Sequence, residues 1–311
     1  MTEIRQAAEE RAAMLVEALP YIQRFRGRVI VVKYGGNAMV DPALATTFAE
    51  DIVLMHSVGL RPVVVHGGGP QISDLMERLG KVPEFRDGQR VTDAETVDIA
   101  RMVLVGKVNR DIVGSINVHG PLAVGVSGED AGLIRAEARH PDLGFVGDVE
   151  AVNPSILVRL LAEELIPVVS TIGADASGQA YNINADAVAG ALAEALGAEK
   201  VIYLTDIEGL LADLDDPTSL ISHIDAKALQ AMVDDGTLTG GMIPKIAACL
   251  HAVAGGVGSA HLLDGRLPHV VLLELFSDAG VGTMITAFPG HAGRAAAPTP
   301  GGSVARPAGA P

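Results

Sequence analysis

Two glycine-rich segments occupy places where the chain could bind an anion. Gly35-Gly36 follows the apolar run Val29–Val32, and Gly67-Gly68-Gly69 follows Val63–Val65. Glycine lets the backbone approach a ligand closely, and exposed backbone N–H groups attract phosphate or carboxylate. A tight turn between a strand and a helix would explain a single Gly-Gly pair equally well. Three consecutive glycines cost more conformational entropy, so the second segment favours a ligand-binding role.

Two lysines lie beside flexible backbone and suit phosphoryl transfer. Lys33 ends a predicted buried strand directly before Gly35, and Lys245 follows Gly240-Gly241-Met242-Ile243-Pro244. Phosphoryl transfer depends mainly on cationic groups around the transferring phosphate. Lys33 could instead be solvated at the edge of the sheet. We interpret the two lysines as the cations of a phosphoryl-transfer site that does not use a P-loop.

Polar side chains at the ends of other predicted elements are further candidates. Asn182, Asn184 and Asp186 form an N-x-N-x-D pattern at a helix start, where capping explains Asn184 alone but not all three residues. Asp206 ends a strand and could be a turn residue or face a nucleotide–magnesium site. Arg90 follows a turn, and an arginine near a glycine-rich anion pocket is suited to binding a carboxylate through two hydrogen bonds.

Several widespread motifs are absent from the sequence. It contains no G-x-x-x-x-G-K-[ST] and no G-x-G-x-x-G after a strand, so a Walker ATPase and a dinucleotide-dependent oxidoreductase are poorly supported. The nine histidines show no zinc-binding spacing, and the segment around Ser127 is not a hydrolase elbow. Cys249 lies among apolar helix residues and is best explained as a core residue.

The order of the apolar runs predicts the elements that position these residues. Strand-like and helix-like periods alternate from Val29 to Gly80, which is typical of an α/β fold with a mainly parallel sheet. Asp41-Pro42 predicts a helix start, and a capping box at Thr92-x-x-Glu95 precedes a long helix. The other predicted elements are an amphipathic helix at 4–22, a hairpin within 131–150, strands at 122–126, 166–170, 201–204, 260–263 and 282–285, a loop at 174–184, and helices at 185–196 and 225–233.

Composition restricts the class of protein. The chain has 311 residues, 49% of them hydrophobic, which suits two domains or one large α/β unit. Its net charge of −15 disfavours nonspecific binding to nucleic acid or anionic membranes. No run approaches the roughly 20 apolar residues of a membrane span, and the first twenty residues lack an apolar signal-peptide core. We therefore expect a soluble, cytoplasmic protein that binds neither nucleic acid nor membrane.

Five motifs, in this order and spacing, resemble the amino-acid kinase family: Lys33-Tyr34-Gly35-Gly36-Asn37-Ala38-Met39, His66-Gly67-Gly68-Gly69-Pro70, Gly88-Gln89-Arg90-Val91-Thr92, Asn182-Ile183-Asn184-Ala185-Asp186 and Gly241-Met242-Ile243-Pro244-Lys245. Over about residues 21–286 the chain is similar to the members that phosphorylate N-acetyl-L-glutamate. The resemblance implies an α/β fold, a three-layer αβα sandwich around a mainly parallel sheet.

The expected organisation has three parts. An N-terminal helix at 1–26 would serve oligomerisation or regulation. The kinase domain at 27–286 would comprise an acceptor-binding lobe at about 27–180 and a nucleotide-binding lobe at about 181–286. The Ala/Pro/Gly-rich tail at 287–311 has the composition of a disordered segment.

The resemblance also implies roles for individual residues. The side chains of Lys33 and Lys245 would stabilise the transferring phosphoryl group, with Asp186 orienting both. The expected acceptor-binding residues are Gly68, Gly69, Arg90, Asn182 and Asn184. The expected nucleotide-binding residues are Gly36, Asp206, Thr237, Leu238 and Thr239. The cofactors would be ATP and Mg²⁺ carried by the nucleotide, with no metal site formed by protein side chains alone.

Regulation by L-arginine is a further implication of the resemblance. Arginine-inhibited members carry an N-terminal helix that links dimers into a hexamer, a trimer of dimers, although here this helix could simply cap its own subunit. The residues that match the effector set are His261, Glu274 and Gly280. A nitrogen-regulatory protein is a further candidate partner.

Two other functions stay open at the level of sequence. The acceptor could be an amino-protected α-aminoadipate, because one methylene group changes binding in a pocket by only about 1–3 kcal/mol. The chain could also be a non-catalytic effector-binding protein on the same scaffold, although the retention of both lysines argues against this.

Overall fold

An eight-stranded sheet forms the centre of the computed structural model, which describes residues 2–39, 41–86, 88–213, 216, 218–238, 241–277 and 280–288. The strands are β1 (Val29–Tyr34), β2 (Arg61–His66), β3 (Phe85–Arg86), β4 (Gln89–Arg90), β5 (Ala123–Ser127), β6 (Ile134–Ala138), β7 (Val146–Val152), β8 (Ile166–Ser170), β9 (Ile172–Ala174), β10 (Ala180–Ile183), β11 (Lys200–Thr205), β12 (His223–Asp225), β13 (Ser259–Asp264) and β14 (Thr283–Thr286). The helices are α1 (Thr2–Phe25), α2 (Pro42–Ser57), α3 (Gly69–Arg78), α4 (Ala94–Arg101), α5 (Asn109–Asn117), α6 (Ser155–Ala162), α7 (Ala185–Ala195), α8 (Ala226–Asp234), α9 (Met242–Ala254) and α10 (Val270–Phe276).

The strand order in this sheet is β12-β14-β13-β11-β1-β2-β8-β5. Within it, β13 and β14 pair in antiparallel orientation and the other neighbouring strands pair in parallel. The predicted mainly parallel sheet is therefore confirmed.

The central strands are buried on both faces, and alternate side chains enter two separate cores. Val31 and Val63 pack with apolar residues of α6, α7, α8 and α9. Ile30 and Val64 pack on the opposite face with residues of α2, α3, α4, α5 and α10. Strands covered on both faces read as continuous apolar runs, which explains why the sequence predicts them well. The predicted three-layer αβα architecture is confirmed.

The remaining strands form two smaller sheets. Strands β6, β7, β10 and β9 close on themselves, and β6 and β7 are the hairpin that was expected within residues 131–150. Strands β3 and β4 form a separate two-stranded hairpin. The prediction of a loop at 174–184 is wrong for residues 180–183, because β10 pairs with β7 and β9. That pairing depends on distant parts of the chain.

Two local predictions about the long helix are also corrected. The helix runs without a break from Ala94 to Asn117, but its residues 102–108 are π-helical and divide it into α4 and α5. Its N-cap is Asp93 and not Thr92, because Asp93 Oδ1 accepts a hydrogen bond of 2.8 Å from the Thr96 backbone N–H. The buried Thr92 hydroxyl instead donates to the carbonyl of Arg90 at 3.0 Å.

Other ends of helices match the expectation more closely. Asp41 caps α2, accepting from the backbone N–H of Ala43 at 2.8 Å, and Pro42 is the first helical residue. Helix α1 is longer than the predicted 4–22 helix and includes Pro20. None of the described helices is both long and apolar enough to cross a membrane. The predicted tail lies outside the described residues from 289 onward.

Candidate functional site

The carboxyl ends of the central strands bring the predicted site residues to one edge of the sheet. Strands β11, β1 and β2 are parallel neighbours, so Asp206, Gly35 and Gly67 follow the same ends of adjacent strands. Ligands of open α/β sheets bind at this edge. Strand β1 pairs with β11 on one side and with β2 on the other. Lys33 on β1 therefore lies between the loop that follows β11 and the loop that follows β2.

Asp186 lies between the two predicted catalytic lysines. The Lys33 ammonium nitrogen is 3.0 Å from Asp186 Oδ1, and the Lys245 ammonium nitrogen is 3.5 Å from Asp186 Oδ2. Asp186 is 4% exposed and Lys33 is 9% exposed, whereas the side chain of Lys245 is more accessible. The structure therefore brings together the three residues that the sequence predicted as catalytic.

Two local features of the sequence bring these three side chains together: the alternation of side chains along β1 and the positions at which α7 and α9 begin. Lys33 has the same parity as Val31, so its side chain leaves β1 on the face covered by α7 and α9. Asp186 lies in the first turn of α7, and Lys245 lies near the start of α9. An aspartate in the first turn of a helix is stabilised by the positive end of the helix dipole.

The electrostatic environment keeps Asp186 ionised. Burial alone would raise the pKa of the Asp186 carboxyl group, but the adjacent ammonium groups of Lys33 and Lys245 and their hydrogen bonds hold this pKa below its usual value. The cluster carries a net charge of +1 when both lysines are protonated. It can attract a further anion, such as a phosphoryl group.

A cavity of about 250 Å³ lies on the β2 side of Lys33. All the predicted acceptor-binding residues line it, namely Gly68, Gly69, Arg90, Asn182 and Asn184. Asn184 also caps α7, since its Oδ1 accepts from the backbone N–H of Asp186 at 2.8 Å and of Ala187 at 3.1 Å. The capping oxygen of Asn184 is therefore already engaged. The roles of these residues in acceptor binding stay predictions.

Arg90 joins the β3–β4 hairpin to the glycine loop. Its guanidinium group donates to the Gly69 carbonyl at 2.9 Å and to Ser73 Oγ at 2.7 Å, and it lies 4.7 Å from the centroid of the Phe85 ring. Burial lowers the pKa of this guanidinium from its usual high value. Arg90 thus places a buried positive charge at the acceptor cavity.

A second cavity, of about 690 Å³, lies on the β11 side of Lys33. The predicted nucleotide-binding residues Asp206, Thr237 and Leu238 line it, together with Arg266. Thr239 lies outside the described residues. Gly36 has a φ of +68°, and a Cβ at this position would come within 2.8 Å of Asp206 Oδ1, so the turn requires glycine. The cavity volume fits a nucleotide, and the guanidinium group of Arg266 at its wall donates two hydrogen bonds of 2.8 Å to Asp264.

A third cavity, of about 870 Å³, opens beside the lysine pair between α7, α9 and the β6–β7 hairpin. Asp186 and Lys245 line this cavity, and Arg139 lines both it and the acceptor cavity. Arg139 forms a loose ion pair with Asp148 at 3.6 Å. Sequence reasoning missed Arg139 because a single arginine in a polar hairpin carries no motif.

The three predicted effector residues lie together around the carboxylate of Glu274. His261 Nδ1 donates to Glu274 Oε1 at 2.7 Å, and Glu274 Oε2 accepts from the backbone N–H of Val281, next to Gly280. Lys200, which belongs to none of the sequence motifs, has its ammonium nitrogen 2.9 Å from His261 Nε2 and 5.4 Å from the ring centroid of Phe25 at the end of α1.

Burial controls the charges in this cluster. It lowers the pKa of His261 to about 4, and the nearby Lys200 ammonium acts in the same direction. It also lowers the pKa of Lys200 to about 8. Glu274 is the carboxylate of the cluster, and its hydrogen bond from His261 helps to keep its pKa below the usual value although burial alone would raise it.

Residues 28–264 match the sequence profile described as the Amino acid kinase family. The chain belongs to this family. A relative from Saccharopolyspora erythraea named acetylglutamate kinase is 56% identical over 285 residues, which cover 89% of this chain and 93% of that protein. A relative of the same name from Moorella thermoacetica is 52% identical over 287 residues, which cover 89% of this chain and 97% of that protein.

A solved structure of a different enzyme shares the fold. The N-acetylglutamate synthase from Neisseria gonorrhoeae, complexed with coenzyme A and N-acetyl-glutamate, is 26% identical with a TM-score of 0.77 over 88% of this chain. This chain spans 63% of the length of that synthase chain.

Proposed function

We propose that this amino acid kinase transfers the γ-phosphoryl group of ATP to the side-chain carboxylate of N-acetyl-L-glutamate, a step of arginine biosynthesis. The observation that carries the proposal is the pair of lysines on one carboxylate, at the edge of the sheet where an acceptor-sized cavity follows β2 and a nucleotide-sized cavity follows β11. The names of relatives that are 52–56% identical over nearly their whole length support the choice of acceptor.

The proposed reaction needs no protein base. The acceptor carboxylate is itself the nucleophile, and one of its oxygens forms a bond to the γ-phosphorus while the bond between that phosphorus and the β–γ bridging oxygen breaks. The products are an acyl phosphate and ADP. Negative charge shifts towards the leaving oxygen as this happens, and the ammonium groups of Lys33 and Lys245 are positioned to stabilise it.

The arrangement of the strands supplies the orientation. The acceptor would lie over β2 with its α-carboxylate towards Arg90, and the nucleotide would lie over β11 with its phosphates towards Gly36. Lys33 on β1 then lies between the two substrates. Holding both reactants in line is a large part of what a phosphotransferase contributes.

ATP binds phosphotransferases as a magnesium complex, and the metal neutralises phosphate charge. The described residues contain no cluster of three or more histidine, cysteine, aspartate or glutamate side chains suited to a metal ion. Asp206, whose carboxylate lies beside Gly36 and lines the nucleotide-sized cavity, is the side chain that we propose would help to hold the Mg²⁺ of the nucleotide complex.

The acceptor is the part of the proposal most open to test. A hydroxylamine-trapping assay with Mg-ATP should detect acyl phosphate with N-acetyl-L-glutamate, and much less with its N-acetylated homologue that is longer by one methylene. Equal or higher kcat/KM for the longer homologue would assign the chain to the α-aminoadipate alternative. No turnover with either acceptor would favour an effector-binding protein that lacks activity.

L-Arginine is the proposed feedback inhibitor, and Glu274 is its proposed carboxylate partner. A guanidinium group forms its strongest contacts with a carboxylate. Glu274 is ionised, and its neighbour His261 is neutral because burial lowers the pKa of His261 to about 4. The ring of Phe25 links this cluster to α1, which gives the N-terminal helix a direct contact with the proposed effector site.

The proposed assembly is a hexamer, a trimer of dimers, in which α1 pairs with a second copy of itself. The support is a row of apolar side chains on α1 that are 47–75% exposed, namely Met14, Leu15, Val16 and Leu19. Exposed apolar residues in a row on one helix mark an interaction surface. A nitrogen-regulatory protein as partner and a cytoplasmic location complete the proposal.

A further inference from the structure

A buried histidine ends β2 directly before the glycine loop. His66 is 0% exposed, and its parity with Val64 directs its ring to the core opposite the lysine pair. His66 Nδ1 lies 2.9 Å from the carbonyl oxygen of Gly67. A carbonyl only accepts, so Nδ1 must carry the ring proton and donate it.

Asn109 fixes the other nitrogen of the ring. Its Nδ2 lies 3.1 Å from His66 Nε2 and 2.8 Å from the carbonyl oxygen of Val168 on β8, and its Oδ1 accepts from the guanidinium of Arg110. The Arg110 contact determines which end of the Asn109 amide faces His66. His66 Nε2 must therefore accept, which agrees with the Nδ1–H tautomer. Burial lowers the pKa of His66 to about 4, with the Arg110 charge acting in the same direction, so the ring is neutral near pH 7.

The same helix that provides Asn109 also packs against the loop. The π-helical residues 102–108 end directly before Asn109, and their Leu104 side chain is so close to Gly68 that a Cβ at Gly68 would lie 2.6 Å from Leu104 Cδ2. On the other side, Gly125 of β5 leaves the space for Asn109 and Arg110, since a Cβ there would overlap both side chains. Single-turn π-helical segments often accompany functional sites.

We infer that His66 and Asn109 are positioning residues for the phosphoryl transfer: they hold the Gly67–Gly69 backbone so that its N–H groups face the acceptor. The inference rests on the proposed function, in which the Gly68 and Gly69 backbone contacts the acceptor. Neither residue acts as a base, because both ring nitrogens of His66 are engaged within the protein.

The physical reason lies in the loop itself. Three consecutive glycines have more backbone freedom than other residues, so an unsupported loop would lose much entropy each time it bound an acceptor. The hydrogen bond from His66 to Gly67 and the contact of Leu104 with Gly68 limit this freedom before binding. A site held in its productive geometry by surrounding hydrogen bonds binds and reacts faster than one that must be ordered by the substrate.

The test compares four leucine or asparagine variants of the enzyme in the acyl-phosphate assay. His66→Leu and Asn109→Leu should each lower kcat/KM for N-acetyl-L-glutamate by about 10- to 100-fold, while the KM for ATP stays within about twofold. His66→Asn should retain clearly more kcat/KM than His66→Leu, at least about a third of the wild-type value, because its amide N–H can still donate to the Gly67 carbonyl. The double variant His66→Leu/Asn109→Leu should be no slower than the worse single variant, since both changes break one chain of contacts.

Asn117→Leu is the matched control. Asn117 lies on the same helix as Asn109 and hydrogen-bonds the backbone of Leu122 and Ala123, but it does not contact the glycine loop. The Asn117→Leu change should lower the melting temperature without changing the acceptor KM. Asn109→Leu kinetics like those of Asn117→Leu, or equal losses for ATP and acceptor, would overturn the inference.

Two further results separate the possible failures. If His66→Leu does not fold, Gly125→Ala provides the second variant, because it displaces Asn109 from β5 without touching the loop, and it should again raise the acceptor KM selectively. Gly125→Ala with an unchanged acceptor KM would contradict the inference. A wild-type enzyme without acyl-phosphate formation would instead contradict the proposed function.

Discussion

Lys33 and Lys245, far apart in sequence, contact opposite oxygens of the single carboxylate of Asp186, at 3.0 and 3.5 Å. One carboxylate between two ammonium groups leaves the site with a net positive charge, which can attract the negative charge of an incoming phosphoryl group. The arrangement also holds both ammonium groups on one carboxylate without a substrate, so their proposed role would need little reorganisation when charge develops in the transition state.

Removal of either ammonium group should slow phosphoryl transfer. Lys33→Ala and Lys245→Ala should each lower kcat about 10²- to 10³-fold, the usual effect of removing one preorganised electrostatic stabiliser. The measurement is acyl-phosphate formation at saturating ATP and acceptor. Lys107→Ala, which removes an exposed lysine paired only one turn away with Asp111, is the control and should retain wild-type kcat. Near-normal turnover of both alanine variants would refute the assigned roles.

Arg139 and Asp148 should have opposite effects on acceptor binding. Their ion pair is loose at 3.6 Å and partly exposed, so Arg139 can turn towards a dianionic acceptor at small cost. Arg139→Gln should raise the acceptor KM about 3- to 10-fold, and Asp148→Asn should lower it because Arg139 loses its competing partner. Steady-state kinetics at low and high salt would test this.

The double variant Arg139→Gln/Asp148→Asn separates the ion pair from a general charge effect. If Asp148 acts by occupying Arg139, the benefit of Asp148→Asn should disappear once Arg139 is gone. A benefit that persists in the double variant would show that Asp148 acts on the acceptor directly. The KM for ATP should change little in all three variants.

The sequence predicted most of what positions the site, for a clear physical reason. Strands such as Val63–Val65 and Ile166–Ser170 are buried on both faces, so each appears in the sequence as a continuous apolar run. Because these strands are parallel, their carboxyl ends lie at the same edge of the sheet. The convergence of Lys33 and Asp186 on one face follows from strand parity and a helix start. Both signals are local.

The features that the sequence did not predict depend on tertiary contacts. Strand β10 forms only because β7 and β9 are available as partners. Thr92 and Asp93 are both good capping residues, and the burial of Thr92 against the Arg90 carbonyl decides between them. The π-helical segment at 102–108, whose Leu104 packs on Gly68, likewise has no periodicity in the sequence that would predict it.

Glu274 should control inhibition by arginine without affecting catalysis. Glu274→Gln keeps the shape of the side chain but removes the charge that a guanidinium group needs, so the half-inhibitory arginine concentration should rise at least about tenfold. The values of kcat and KM without arginine should match the wild type, since Glu274 lines neither the acceptor nor the nucleotide cavity. Glu163→Gln, an exposed glutamate after α6, is the matched control. Unchanged sensitivity of Glu274→Gln would remove this residue from the effector site.

The apolar face of α1 should determine the oligomeric state. Leu15 is 75% exposed, and burying such a side chain against a second copy contributes about 1.5–3 kcal/mol. Leu15→Glu should therefore convert the proposed hexamer into dimers, as measured by analytical ultracentrifugation, while kcat without arginine is retained. Glu17→Gln on the same helix should leave the assembly intact. A wild-type chain that sediments as a dimer would contradict the proposed assembly.

Acid should destabilise the protein partly through its buried neutral histidines. Burial lowers the pKa of His261 to about 4 from 6.5, so below pH 6.5 the unfolded state binds a proton that the folded state does not. The contribution of neutral His261 to the free energy of unfolding is therefore full above pH 6.5 and is lost as the pH falls towards 4. A shift of this size corresponds to roughly 3 kcal/mol. Asp51, whose pKa burial raises to about 6, acts in the opposite direction, so the two effects must be separated by comparing variants.

The comparison uses His261→Asn and the exposed control His119→Asn. Urea unfolding between pH 4 and pH 7 should show a smaller loss of the free energy of unfolding on acidification in His261→Asn than in the wild type, because the buried titrating group is gone. His119→Asn should follow the wild-type curve, and the Asp51 contribution cancels since all three proteins retain it. The contrary result is a free energy of unfolding that falls with pH equally steeply in His261→Asn and in the wild type. His261 would then already be charged in the folded protein at pH 6. The assignment of a neutral His261 ring that donates to Glu274 would be wrong.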